Sequence, residues 1–176
     1  MAFRRSTRKR RDAADRTDGE RLTTVGAAGH TAREVVLHAT CVAIGGRGVV
    51  LTGESGTGKS ALGLQLIDGG ALLVADDVTA IYRDGSRLIA RAPERGAGLI
   101  EARGNGVMRL AYADQAPITF FVAVGTVSAH RLPEPTYRTE LGVSVPQLWA
   151  DPRDPASAAM IRLAVAHGPP HIPESI

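Results

Sequence analysis

The sequence predicts an α/β domain whose sheet is mixed and rich in hairpins. Three observations predict it. Gly53-Glu54-Ser55-Gly56-Thr57-Gly58-Lys59-Ser60 is a complete G-x-x-x-x-G-K-[ST] loop, set between a strand pattern and a helix pattern. Short apolar runs outnumber helical stretches. Several of those runs are joined by short Gly-containing turns, whereas a doubly wound domain alternates strand and helix.

The elements follow in order. Val35–Ile44 reads as one strand. Gly45-Gly46-Arg47-Gly48 is a tight connection into the strand Gly48–Thr52, so the two should form a hairpin. Ala61–Ile67 reads as the helix after the loop, stopped by Gly69-Gly70. Ala71–Asp77 is an apolar strand ending in two carboxylates. Thr79–Tyr82 and Arg87–Ala90 flank Arg83-Asp84-Gly85-Ser86, a hairpin with an Asp-Gly turn. Pro117–Gly125 and Leu141–Leu148 are further strands. Pro155–His167 is a terminal helix with Met160, Ile161, Leu163 and Ala164 on its apolar face. This gives one folded domain over 35–168, a disordered basic tail over 1–34 and a flexible end over 169–176.

At 176 residues and 44% hydrophobic content, the chain is long enough for one domain with a sizeable core. The net charge of +3 is unevenly spread. Residues 1–21 hold eight basic and four acidic side chains, and the remainder holds thirteen and fourteen, a net −1. The high pI therefore belongs to the tail, and no nucleic-acid partner is expected for the body. No apolar run reaches the length of a membrane span. The single cysteine, Cys41, excludes an intrachain disulfide and reads as a core filler, which fits a reducing, cytoplasmic setting.

The chemistry centres on the loop. Its amides form an anion nest at a helix N-terminus, Lys59 reaches the β/γ-phosphates, and the Ser60 hydroxyl can ligate Mg²⁺. The chain has only two lysines, Lys9 and Lys59. A compact ammonium fits between phosphate oxygens where a planar guanidinium does not. Asp76 and Asp77 end a strand near the γ-phosphate position. Strand alternation predicts that one faces the phosphate, as a base or water-polarising group, and the other supports the metal shell or a hydrogen bond. A plain strand-end turn is the bland alternative. Glu101, beside Arg103, Gly104 and Gly106, can complete an oxygen shell for Mg²⁺ or simply pair with Arg103. His38 is returned toward the phosphates by the hairpin, or is merely packed. Arg131 and Arg153 lie in Pro-flanked loops, and either can meet phosphoryl charge.

Together, His38, GESGTGKS at Gly53–Ser60, LVADD at Leu73–Asp77, Ala92-Pro93 and LIEARGNG at Leu99–Gly106 resemble the HPr kinase/phosphorylase family. The likeness covers roughly Val35 to His167 and is greatest to the short α-proteobacterial form that lacks the family's N-terminal domain. It implies a P-loop kinase fold akin to phosphoenolpyruvate carboxykinase, which accounts for the excess of hairpins. It also implies ATP and Mg²⁺ as cofactors, an HPr-type phosphocarrier serine as acceptor, phosphorolysis as the reverse reaction, and a homo-oligomer, a hexamer in family members. By motif, Gly53, Glu54, Ser55, Gly56, Thr57, Gly58, Lys59 and Ser60 hold the nucleotide phosphates. Asp76 is the base, Asp77 supports it, and Ser60, Glu101 and Asp77 serve the metal. His38 stands near the transferred phosphate and Arg153 contacts the substrate phosphate. The chain departs from the family at Ala61, Asn105 and Pro155-Ala156-Ser157. Two rival readings are a kinase of this fold with another acceptor and a nucleotide-sensing module with little turnover. A GTPase is disfavoured because no N-K-x-D motif is present.

Overall fold

A computed structural model describes residues 33–125 and 134–169. The chain runs β1 (Glu34–Leu37), β2 (Thr40–Ile44), β3 (Arg47–Thr52), α1 (Lys59–Asp68), β4 (Leu72–Ala75), β5 (Thr79–Asp84) and β6 (Arg87–Arg91). It continues through β7 (Leu99–Ala102), β8 (Gly106–Arg109), β9 (Gln115–Val124), β10 (Thr136–Glu140), β11 (Val143–Ala150) and α2 (Ser157–His167). Nine strands form one mixed sheet with the path β1-β5-β6-β9-β3-β2-β4, and β11 and β10 branch from β9. β7 and β8 make a separate two-stranded hairpin.

The branch at β9 curls the sheet. The start of this ten-residue strand pairs with β6 (Ile89↔Pro117), and its end pairs in parallel with β11 (Gln147↔Phe121). Its other edge pairs in parallel with β3 (Thr52↔Ala123). Alternate side chains of β9 enter two different cores. Phe120 and Val122 join Val49, Leu51, Leu62, Leu66 and Ile161 under the two helices, while Phe121 joins Val50, Cys41, Ile81 and Leu88 inside the curl. Burial of Cys41 pushes its thiol well above the usual range, which leaves it an inert core filler.

Four expectations need correction. The run 35–44 is not one strand. β1 pairs with β5 and β2 pairs with β3 and β4, so the chain changes partners at His38-Ala39 and bends there. The β5–β6 turn is Gly85-Ser86 rather than Asp84-Gly85, because Asp84 pairs with Arg87. Leu141 and Gly142 do not begin a strand. They form a two-residue turn with φ of 48° and 76°, as a type I′ hairpin requires, and join β10 to β11 at Glu140↔Val143. On α2, Ile161 and Ala164 are buried, but Met160 and Leu163 face solvent at 52% and 58% exposure. The tail residues 1–32, Arg131 and residues 170–176 lie outside the described residues, and with them the disordered tail and most of the flexible end expected from the sequence.

Candidate active site

Three strand ends and one loop converge at the N-terminus of α1. The loop leaves β3 at Gly53, whose φ is 148°; a Cβ there would meet the Val124 carbonyl at 2.5 Å, so only glycine fits. Gly58, at φ 98°, is the N-cap, and its carbonyl accepts the first helical hydrogen bond from the Leu62 amide at 2.9 Å. Thr57 Oγ1 braces the loop by donating to the Glu54 carbonyl at 2.9 Å. Lys59 is 6% exposed, and its Nζ donates to the carbonyls of Gly53 and Glu54, both at 2.9 Å.

Asp76 is the hub of the carboxylate side. Its Oδ1 accepts from Thr40 Oγ1 at 2.7 Å and from Ser60 Oγ at 3.0 Å. Its Oδ2 accepts the backbone amide of Glu101 at 3.1 Å. One carboxylate thus ties β2, the helix start and the β7–β8 hairpin together. β4 ends at Ala75, so strand alternation does not govern the pair. Asp77 turns left-handed at φ 59°, a conformation Asp tolerates, and lines the cleft instead. The Asp77 carbonyl accepts from His38 Nδ1 at 2.8 Å. Nδ1 therefore carries the proton, and in the neutral ring Nε2 is the acceptor.

A cleft of about 370 Å³ opens over these groups, walled by His38, Lys59, Ser60, Asp77, Glu101 and Arg103. Among the described residues no three His, Cys, Asp or Glu side chains cluster as an all-protein metal cage. Mg²⁺ at a nucleotide site takes one or two carboxylates and completes its shell from phosphates and water. Ser60, Asp77 and Glu101 on the cleft wall are such a sparse donor set, so the residues present fit the ion.

Residues 29–113 match the family described as HPr Serine kinase C-terminal domain. The HPr kinase/phosphorylase of Clostridium beijerinckii is 42% identical over 86 residues, covering 49% of this chain and 28% of that protein. That of Leptothrix cholodnii is 48% identical over 80 residues, covering 45% and 25%. The chain thus spans about a quarter of the length of the curated relatives it matches. The solved structure of the Hpr(Ser) kinase/phosphatase from Coxiella burnetii superposes with a TM-score of 0.62 at 30% identity, covering 74% of this chain and 93% of that one. The chain belongs to the HPr kinase/phosphorylase family.

Within this family member the sequence motifs meet in space, with one exception. His38, the loop residues Ser55, Gly56, Gly58, Lys59 and Ser60, Asp77 and Glu101 line the one cleft, with Asp76 bonded beneath it. Gly53 and Glu54 hold Lys59 from the other side. Arg153 is not brought there. It lines a neighbouring cleft with Gln65 and Arg162, and its Nε and Nη2 donate to Asp151 at 2.9 and 2.8 Å. The Arg153 guanidinium in turn holds the Asp151 carboxyl down at about 2. Sequence reasoning missed Thr40, a fully buried hydroxyl in an apolar strand. The sequence shows only a hydroxyl within an apolar run; its burial, and with it the need for a partner, comes with the sheet.

Proposed function

We propose that the chain is an ATP- and Mg²⁺-dependent serine kinase whose acceptor is an HPr-type phosphocarrier, with a second activity that removes the phosphate by phosphorolysis, inorganic phosphate attacking and pyrophosphate leaving. The observation that carries this reading is the Ser60–Asp76–Thr40 hydrogen-bond chain beneath a cleft that also holds Lys59, Asp77 and His38. A pure nucleotide sensor has no use for a braced carboxylate at the phosphoryl end. Bound ATP and Mg²⁺ supply the transferable group and polarise it; the chain's residues bind, orient and move the proton. The loop amides and Lys59 hold the phosphates. Ser60 and Glu101 hold the metal with Asp77. Asp76, oriented by Thr40 and the Glu101 amide, receives the acceptor serine's proton, and His38 stands beside the transferred group. Positioning and charge neutralisation supply most of the catalysis in such transfers.

The bond between Ser60 and Asp76 leaves one alternative to this assignment, in which Asp76 serves the metal side and Asp77, on the cleft wall, is the base. A family-like homo-oligomer in the cytoplasm and the phosphoenolpyruvate carboxykinase-like type of P-loop fold complete the proposal; the family relationship supports the assembly, and the buried free thiol of Cys41 supports the setting.

The test incubates the chain with γ-labelled ATP, Mg²⁺ and purified HPr. Label on an HPr serine, dependent on Mg²⁺, is the expected result. Tight ATP binding with no label on HPr would replace this reading with another acceptor or with the sensor.

A further inference from the structure

The phosphate loop has a second cleft on its other side. It holds about 510 Å³ and is walled by His38, Gly53, Glu54, Arg138 and Gln147. His38 and Ser55 belong to both clefts, so the two meet at the loop.

Lys59 tells which end of a bound nucleotide meets this second cleft. In loops of this sequence the lysine reaches the β/γ-phosphates. Here its Nζ lies against the carbonyls of Gly53 and Glu54. Lys59 also walls the first cleft, so the γ-end lies at the junction of the two clefts, beside Gly53-Glu54. Phosphoryl groups in transfer are stabilised by fixed positive charge at that end. Arg153 points into a different cleft, but Arg138 lines this one.

Arg138 is also held in place. Its guanidinium carbon sits 5.0 Å from the centre of the Phe121 ring, a fully buried platform. Glu140 Oε1 accepts from Nε and Nη2, both at 2.7 Å, which occupies one edge of the fork. Nη1, on the other edge, has no partner among the described residues. A guanidinium fixed on one edge and open on the other has already lost most of its freedom before a ligand arrives.

We propose that Arg138 neutralises charge on the transferred phosphoryl group from the second cleft, beside Lys59. This rests on the kinase reading above. In that reaction the acceptor serine oxygen forms a bond to the γ-phosphorus while the bond to the β–γ bridging oxygen breaks. ADP leaves with that electron pair, and the serine proton passes to the carboxylate base. Arg138 donates hydrogen bonds to non-bridging oxygens and changes no covalent bond. The site takes a tetrahedral phosphoryl dianion, so it distinguishes ATP from ADP.

The experiment measures ATP and ADP affinity by calorimetry with Mg²⁺, and single-turnover transfer to HPr, on the full chain. Arg138→Met keeps the stem over Phe121 and removes the charge. It should lose on the order of tenfold in ATP affinity with ADP affinity unchanged, and transfer should fall on the order of 10²-fold or more. Arg138→Lys should keep part of both. An unchanged ATP-to-ADP ratio in both variants overturns the inference, whatever transfer does. Should Arg138→Met melt early, the same ratio in Arg138→Lys decides. A wild-type chain that transfers phosphate while the variants keep the ratio removes this inference alone. A wild-type chain that binds neither nucleotide removes the kinase reading with it.

Discussion

Lys59 shows what a single residue contributes to this site. It is buried, and its ammonium is parked on two carbonyls of its own loop. Those carbonyls satisfy the charge until phosphate oxygens replace them. Lys59→Ala should therefore lower phosphoryl transfer on the order of 10²-fold or more, with α1 still formed by circular dichroism. Arg153 and Asp151 make a second residue-scale case. Hydrogen bonds from Arg153 hold the Asp151 carboxyl at about 2, below its ordinary value of about 3.9. A depressed carboxylate contributes its interaction fully above the unfolded value and loses it as pH falls through the folded one. The ion pair should thus survive at pH 4 and dissolve near pH 2. A carboxyl titration followed by NMR should show a midpoint near 2 for Asp151, moving toward about 3.9 in Arg153→Ala; an unmoved midpoint would show that Arg153 is not its cause.

Elements place these residues, and here the sequence was only partly readable. The hairpins β2–β3 and β5–β6 were legible because glycines mark their turns. The break between β1 and β2 was not, because His38 and Thr40 are isolated polar residues in an otherwise apolar run with no Gly, Pro or Asn to mark a change of partner. Yet that break places His38 at the cleft mouth. β7–β8 and β10 were missed for another reason. Both are short; β8 is exposed along its whole length and lacks the half-buried alternation that betrays other strands, and β10 alternates in burial but its Thr-Tyr-Arg-Thr-Glu sequence carries no apolar period. Helix α1 packs closely on β2 at Gly63, where a Cβ would meet Thr40 Cγ2 at 2.9 Å. Gly63→Ala gains up to about 1 kcal/mol of helix propensity. Overpacking against a fully buried strand costs about 1–3 kcal/mol. We expect net destabilisation in denaturant melts, and, because Thr40 holds Asp76, slower transfer as well; a variant more stable than wild type would show that the helix can shift.

For the whole molecule, the branched strand β9 carries both cores. Phe120 faces the helices and Phe121 faces the curl, side by side in one strand. Phe120→Ala should cost about 3–5 kcal/mol, and a single unfolding transition by both fluorescence and circular dichroism would show that the two cores melt together. The α/β class and the mixed, hairpin-rich sheet could be read from the motif and its flanking strands. The branch could not, since pairing of β9 with both β6 and β11 depends on contacts far apart in sequence. In the same way the carboxylate cluster could be listed from sequence, but Thr40 and Arg138 enter only when the sheet brings β2 and β10 to the loop. The central claim is that this assembly moves a phosphoryl group with Asp76 as the proton acceptor. The most direct measurement is single-turnover transfer from ATP to HPr by Asp76→Asn and Asp77→Asn, with ATP affinity determined in parallel. The account predicts that Asp76→Asn keeps ATP affinity within about threefold while transfer falls on the order of 10²- to 10⁴-fold. Near-normal transfer by Asp76→Asn, with transfer lost in Asp77→Asn, would contradict it and make Asp77 the base.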